Sequence, residues 1–238
     1  MDVTVARLTY RAMLGGRRFW LLSAMSVLLL AMAVLLRLTV GVDHQVTADF
    51  LSAVAVGALV PLFGLIIGTG VIGPEIDDGS VVYLLSKPIP RPKIIMSKFV
   101  VAVAGTTLFA AVPTFVAALV MSGTQEQLAP GLGVAALVAS VAYSAIFLLL
   151  AVVTRHAVVY GLAYALIWEA LLGGYVPGAR TLSVQQWSLS LAEEIVARDL
   201  VSSDVRLAVA GVLLTVVIVG ATWYASQRLR VFSLAGDE

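Results

Sequence analysis

Few side chains in this sequence are placed to do chemistry, and those few do not converge. The two histidines, His44 and His156, fall on opposite sides of the apolar segments between them, so they cannot share a proton or a metal ion. Serines such as Ser140 and Ser144 have no histidine base nearby. No aspartate lies inside an apolar run and no HExxH pattern occurs, which excludes a paired-carboxylate intramembrane protease and offers no zinc site. Cysteine is absent, which removes disulfides, thiolate metal sites and thiol nucleophiles together and leaves the redox compartment open. No GxxxxGK(S/T) loop is present to cradle nucleotide phosphates. The chain is therefore not expected to be an enzyme by itself or to bind a cofactor. If ATP drives it, another polypeptide holds the nucleotide.

One acid stands inside an apolar run. Glu169, within Ala157–Val176, would cost about 2.5–3.5 kcal/mol on insertion scales if central and charged, so it must face protein or water. It reads as a pathway or subunit-interface residue, or as a carboxyl satisfied by a neighbouring hydroxyl. Tyr160, Tyr164 and Tyr175 share its span.

The other informative stretch is Glu75 to Lys98, EIDDGSVVYLLSKPIPRPKIIMSK, the long polar interruption on the basic side. Asp77 and Asp78 can cap a helix, Gly79 to Ser86 allows about two turns, and Pro88 forbids continuation. Pro88, Pro90 and Pro92 then predict a stiff, polyproline-like exit. The core of this short helix, Val81-Val82-Tyr83-Leu84-Leu85, is too apolar to lie bare in water, which makes the stretch a docking element. Arg91, Lys93 and Lys98 mark it as cytoplasmic.

The elements that must position these residues are membrane spans. The 238 residues are 61% hydrophobic and 12% charged, against about a quarter charged in soluble domains, and mean hydropathy is +1.02. An all-α integral membrane protein with one domain, 1–238, is predicted. The net charge of +1, spread over loops, carries no message for nucleic acid. Apolar runs fit for about 30 Å of hydrocarbon occur at Phe19–Leu36, Phe50–Pro74, Phe99–Gln125, Gln127–Thr154, Ala157–Val176 and Leu207–Gln227. The first run lacks a convincing cleavage site and should remain as a span. Six spans put both termini on one side. Arg7, Arg11, Arg17, Arg18, Lys87, Arg91, Lys93, Lys98, Arg155, Arg228 and Arg230 lie on that side, against Arg37, Arg180, Arg198 and Arg206 on the other. Both termini are thus expected in the cytoplasm, in a multi-pass protein of the cell membrane.

Thr4 to Arg18 reads as a basic amphipathic helix on the inner leaflet, hinged at Gly15-Gly16, or as a basic tail. Thr154-Arg155-His156 predicts a tight inner turn and the region of Glu126 a tight outer one, so spans three, four and five are neighbours. Between spans five and six, residues 177–204 form the sizeable outer segment. Ser183 with Gln186 resembles a capping box, and Val184, Trp187, Leu191 and Ile195 recur at helical spacing, which predicts an outer interfacial helix. Gly64 and Gly68 form a small-xxx-small pair, expected to pack within the chain, and Pro113 should kink span three.

The stretch from Glu75 to Lys98 resembles the docking segment of type-2 ATP-binding-cassette exporter permeases. Glu75, Gly79-Ser80, Leu84-Leu85-Ser86, Pro88, Arg91 and Lys98 stand where that family has its acidic, glycine, leucine-pair, Ser-x-Pro, arginine and lysine positions. Lys87 and Pro90 add to the common pattern, and the outer segment is too polar for deep re-entrant helices. The resemblance implies that two permease subunits, two copies or a copy and a sister permease, form the path. Two separate ATPases, which carry ATP and Mg, dimerise beneath them. Val81, Leu84 and Leu85 would enter a groove of the ATPase, Asp77 or Asp78 would cap the helix, and Arg91 and Lys93 would flank it. Glu75, at the mouth of span two, would couple that helix to a gate. The apolar spans suit an amphipathic drug, a lipid-like molecule or a peptide as cargo. The competing class is an autonomous carrier or channel in which Glu169 binds or relays a cation, and a third is a non-transporting membrane anchor.

Overall fold

A computed structural model describes residues 17–77, 90–172, 177–197 and 200–231. The expected amphipathic helix at Thr4–Arg18, its Gly15-Gly16 hinge and the docking helix at Gly79–Ser86 lie outside those residues, Arg17 and Arg18 excepted. Among the described residues every regular element is helical.

Helix α1, Arg17–Thr39, starts two residues before the predicted span and ends three after it. The second span is one long helical path built from three pieces. Asp43 opens it as an N-cap, its carboxylate accepting from the Gln45 and Val46 amides at 2.9 and 3.1 Å. Helix α2, His44–Phe50, leads into wider π-helical turns at Leu51–Leu59, then α3, Val60–Gly70, and a short α4, Gly73–Asp77. The third span is α5, Arg91–Thr106, a π-helical turn at Thr107–Ala111, and α6, Val112–Ser122. Here the sequence reading needs correction: the helix begins at Arg91, not Phe99. Pro92 therefore sits in its first turn, where a missing amide costs nothing, and not in an extended exit.

Both interrupted spans carry proline just beyond the wide turns, Pro61 and Pro113. A proline ring clashes with the carbonyl four residues back, and widening the turn relieves that clash. The carbonyl so released at Phe109 accepts the Ser26 hydroxyl of α1 at 2.6 Å. The expected irregularity at Pro113 is thus a widened turn that joins span three to span one.

After a tight turn with positive φ of 54° at both Glu126 and Gln127, helix α7 runs Leu128–Val153. Turn 154–156 leads to α8, Ala157–Ala163, which widens into π-helical turns at Tyr164–Leu172. Then come α9, Pro177–Arg180, α10, Val184–Glu193, and α11, Leu207–Val231. Among the described residues five stretches are long and apolar enough to cross a membrane: Arg18–Thr39, His44–Ile76, Pro92–Ser122, Gln125–Val153 and Leu207–Leu229. The apolar helix at Ala157–Glu169 is shorter than these.

Helix α7 is the axis of the bundle. Ala135, Ala136, Ala139, Ser140, Ala142 and Ser144 are buried along it, and side chains this small let α3, α5, α6, α10 and α11 approach closely. The glycine pair in α3 serves the same contact. A methyl group at Gly64 would lie 2.8 Å from Tyr143 Cβ, and one at Gly68 would lie 2.9 Å from Phe147 Cβ and 3.3 Å from the Leu148 amide nitrogen. The pair packs within the chain, as its spacing suggested. Because backbone cannot yield as a side chain tip can, Gly68→Val is expected to destabilise by about 1–3 kcal/mol. Thermal unfolding in detergent checks this, and an unchanged midpoint would mean that α3 and α7 are not in contact. The outward faces of α1 and α11, with Trp20, Leu28, Val212 and Trp223, are apolar and exposed, as a lipid-facing surface requires.

Candidate functional site

Of the residues expected to dock an ATPase, Asp78, Gly79, Val81, Leu84 and Leu85 lie outside the described residues, and so do the side chains of Asp77 and Arg91. What the structure gives is the frame on either side of them. Helix α4 carries Glu75 and ends at Asp77, which enters the segment. Pro90, with φ −58° and ψ 130°, is the extended residue that leaves it, and α5 follows immediately. Ile94 and Ile95 are fully buried and fix the first turn of α5 in the bundle, while Lys93 points to the exposed side.

The two flanks are tied together by Lys98. Its ammonium donates to Glu75 Oε1 at 2.7 Å and to the Val71 carbonyl at 2.5 Å. The Lys98 side chain is fully buried, while that of Glu75 is 34% exposed. Each acceptor has a physical reason. Val71 closes α3, where unpaired carbonyls carry the negative end of the helix dipole, and a cation is favoured there. Glu75 supplies the compensating charge that a buried ammonium needs. The entrance and exit of the 78–89 segment are thereby fastened to one point at the end of span two. A force applied to the segment would reach α3 and α5 together.

Sequence reasoning named both residues but not the pair. With span three starting at Phe99, one residue after Lys98, Glu169 is the lone ionisable group inside a span. The available signal was an acid and a lysine flanking the same polar stretch. Nothing in that signal said that the lysine would turn inward.

Glu169 is the centre of a second polar cluster, away from the Glu75–Lys98 tie and at the start of α10. It is fully buried in the π-helical turns after α8. Tyr164 Oη and the Val184 amide donate to Oε1 at 2.9 and 3.0 Å, and the Ser183 hydroxyl donates to Oε2. Ser183 is the N-cap of α10, its Oγ also accepting from the Gln186 amide at 3.4 Å. The Glu169 carboxylate therefore sits at the start of α10, where the Val184 amide, which has no helical partner, faces it. Tyr143 is buried against this cluster, stacked on Phe147 with ring centroids 6.0 Å apart. Of the other tyrosines on that span, Tyr160 is exposed and Tyr175 lies outside the described residues.

Helix α10 lies deeper than an interfacial helix would. At its start, Gln185 fills the space against Gly57 and donates to the Ser52 carbonyl at 2.9 Å. Gly57 lies roughly 20 Å along span two from His44, at 1.5 Å per residue. Farther along, the Ala192 carbonyl and Val196 reach Gly131, near the beginning of α7. The helix thus slopes inward through the bundle, with Val184, Trp187, Leu189 and Ala192 buried. Its polarity suggested otherwise. Ser188 and Ser190, however, satisfy themselves on the Val184 and Trp187 carbonyls, both at 2.8 Å, and Trp187 donates to the Thr181 carbonyl at 2.8 Å. Self-paired hydroxyls are as easily buried as small apolar groups.

The arrangement offers two anchoring points, one that ties the ends of α3 and α5 together and one that holds the start of α10. A family model described as ABC-2 family transporter protein matches residues 3–228. No curated protein matches the chain.

Proposed function

Because the chain belongs to the ABC-2 transporter family, a family of membrane permeases that are not themselves catalytic, we propose that it is the transmembrane subunit of an ATP-driven exporter. In this reading it has six spans, with Ala157–Val176 as the fifth, and both termini face the cytoplasm. The 75–98 segment seats on a separate ATP-binding-cassette ATPase, which carries ATP and Mg. A second copy, or a sister permease, completes the path. Helix α10 and the loop after it close the outer side. The cargo is an amphipathic drug, a lipid-like molecule or a peptide.

The observation that carries this reading is the Glu75–Lys98 tie together with the Val71 carbonyl, because it gives a docked segment something rigid to pull on. Val81, Leu84 and Leu85 would fill a groove of the ATPase, with Asp77 or Asp78 capping the helix and Arg91 and Lys93 placed beside it. Movement of the ATPase pair would then shift α3 and α5 as one unit, with Glu75 as the coupling residue. A mild-detergent pull-down of the tagged protein from its native membranes tests this. A separate ATPase is expected to co-purify, and Leu84→Asp is expected to remove it and its stimulated ATP hydrolysis. If Leu84→Asp leaves both intact, the docking assignment is wrong.

A further inference from the structure

A basic cavity lies beside the docking frame, and neither the docking reading nor the Glu169 cluster uses it. It encloses about 220 Å³ between the start of α1, the end of α3, α4 and the turn from α7 to α8. Arg18, Thr154, Arg155 and His156 bring its donors, and no acidic side chain is among its described lining residues. Arg18 is admitted by a glycine: its Nη1 lies 3.4 Å from the Gly70 carbonyl, and a methyl group at Gly70 would stand 2.8 Å from that nitrogen. Among the described residues Arg155 holds no ion pair. The Thr154 hydroxyl oxygen accepts from the His156 amide at 3.2 Å, which holds the turn closed under the cavity.

The remaining wall is apolar and faces outward. Val158 and Val159 line the cavity and are 58% and 66% exposed, and Leu162 and Leu166 continue the exposed strip up the same helix. A basic hollow that opens onto an apolar helix face at one end of a membrane bundle is built for a molecule with an anionic head and a hydrocarbon tail. The volume is below the roughly 300–1,000 Å³ of pockets that enclose whole drug-sized ligands, so only a head group enters. We propose that Arg18 and Arg155 bind the phosphate of one anionic phospholipid, whose acyl chains lie along Val158, Val159, Leu162 and Leu166. The lipid is a resident of the bundle's edge. It braces the turn at 154–156 against α3 and α4, and so lies beside the anchor of the 75–98 segment.

Native mass spectrometry of the full chain, released without any partner from micelles holding equal phosphatidylglycerol and phosphatidylcholine, tests the proposal apart from ATPase docking. Wild type is expected to retain phosphatidylglycerol in preference. Arg155→Gln is expected to cut that retention at least threefold, and Arg206→Gln, the same charge loss at the opposite end, to leave it unchanged. Gly70→Ala, which displaces the flexible tip of Arg18 and leaves Arg155 in place, is expected to weaken retention as well. Equal retention of the two lipids, or equal loss in Arg155→Gln and Arg206→Gln, would overturn the site. Thermal stabilisation by inorganic phosphate as large as that by phosphatidylglycerol would assign the cavity to a free anion instead. Since the chain has no cysteine, Val158→Cys is a unique label. Disulfide-linked dimers of it in native membranes would show that a second copy covers the strip, and would overturn the lipid.

Discussion

Glu75→Gln is expected to destabilise the isolated protein by about 3 kcal/mol, and to cost more than Lys98→Met at the other end of the same pair. The asymmetry follows from burial. Losing the glutamate charge leaves a fully buried ammonium with neutral acceptors alone, the Val71 carbonyl and the glutamine amide oxygen, whereas losing the ammonium leaves a carboxylate that is 34% exposed and can be solvated. For a chain of this length about 3 kcal/mol corresponds to a fall of roughly 6–12 °C in the melting midpoint. The double variant Glu75→Gln/Lys98→Met should recover much of the loss, since a neutral side chain of similar length then occupies the buried site. Midpoints of the four proteins in one detergent decide this. Equal losses for the two single variants would mean that Lys98 is hydrated, contrary to the geometry. The same set probes coupling: a double variant that regains stability, yet fails to convert partner ATP hydrolysis into transport, would separate the tie's mechanical role from its role in folding.

Glu169→Ala is the second large effect, expected at about 3–5 kcal/mol. It removes the acceptor shared by Tyr164 Oη, Ser183 Oγ and the Val184 amide, and each buried donor left without a partner costs about 1–3 kcal/mol. The sum is less than three full penalties, because Ser183 can turn to another acceptor and water can enter the vacated volume. Glu169→Gln should cost only about 1–2 kcal/mol. Its amide oxygen can still receive Tyr164 and Val184, and its amino group can donate to Ser183. Beyond stability, Glu169→Ala is expected to free the start of α10, which limited proteolysis across residues 194–206 would report as faster cleavage. In a self-sufficient carrier the order of effects differs: Glu169→Gln would abolish proton-coupled flux with little change in the melting midpoint. Measuring flux and midpoint together therefore tests the carrier class as well as the clasp.

The two clusters differ in how far they could be read beforehand. Glu75 and Lys98 were both marked by position, flanking a polar stretch between apolar runs. Their contact was hidden, because a helix that starts at Arg91 rotates Lys98 inward, and a span read from Phe99 leaves it outside. Glu169 was marked by cost, since a lone acid in an apolar run must find partners. Ser183 was marked as a helix cap. That one satisfies the other depends on α10 folding back into the bundle, a long-range event that helical spacing does not encode. The Gly64 and Gly68 pair was easier, because close approach needs small residues at that spacing whichever helix arrives.

The sequence by itself determined the class. A composition this apolar, with charges other than Glu169 confined to the ends of runs long enough for helices, points to membrane-spanning helices, since backbone groups in hydrocarbon must then pair within their own segment. It also determined the absence of zinc-protease and nucleotide-binding motifs, and its arrangement of Glu75, Gly79, Leu84-Leu85, Arg91 and Lys98 gave the family resemblance. Tertiary structure decided which polar groups meet. The inward slope of α10, the burial of Lys98 on the Val71 carbonyl and the cavity at Arg18 and Arg155 all depend on the register between helices distant in the chain. That register is set by packing of side chains against α7. Hydropathy sums over such packing, and so cannot resolve it.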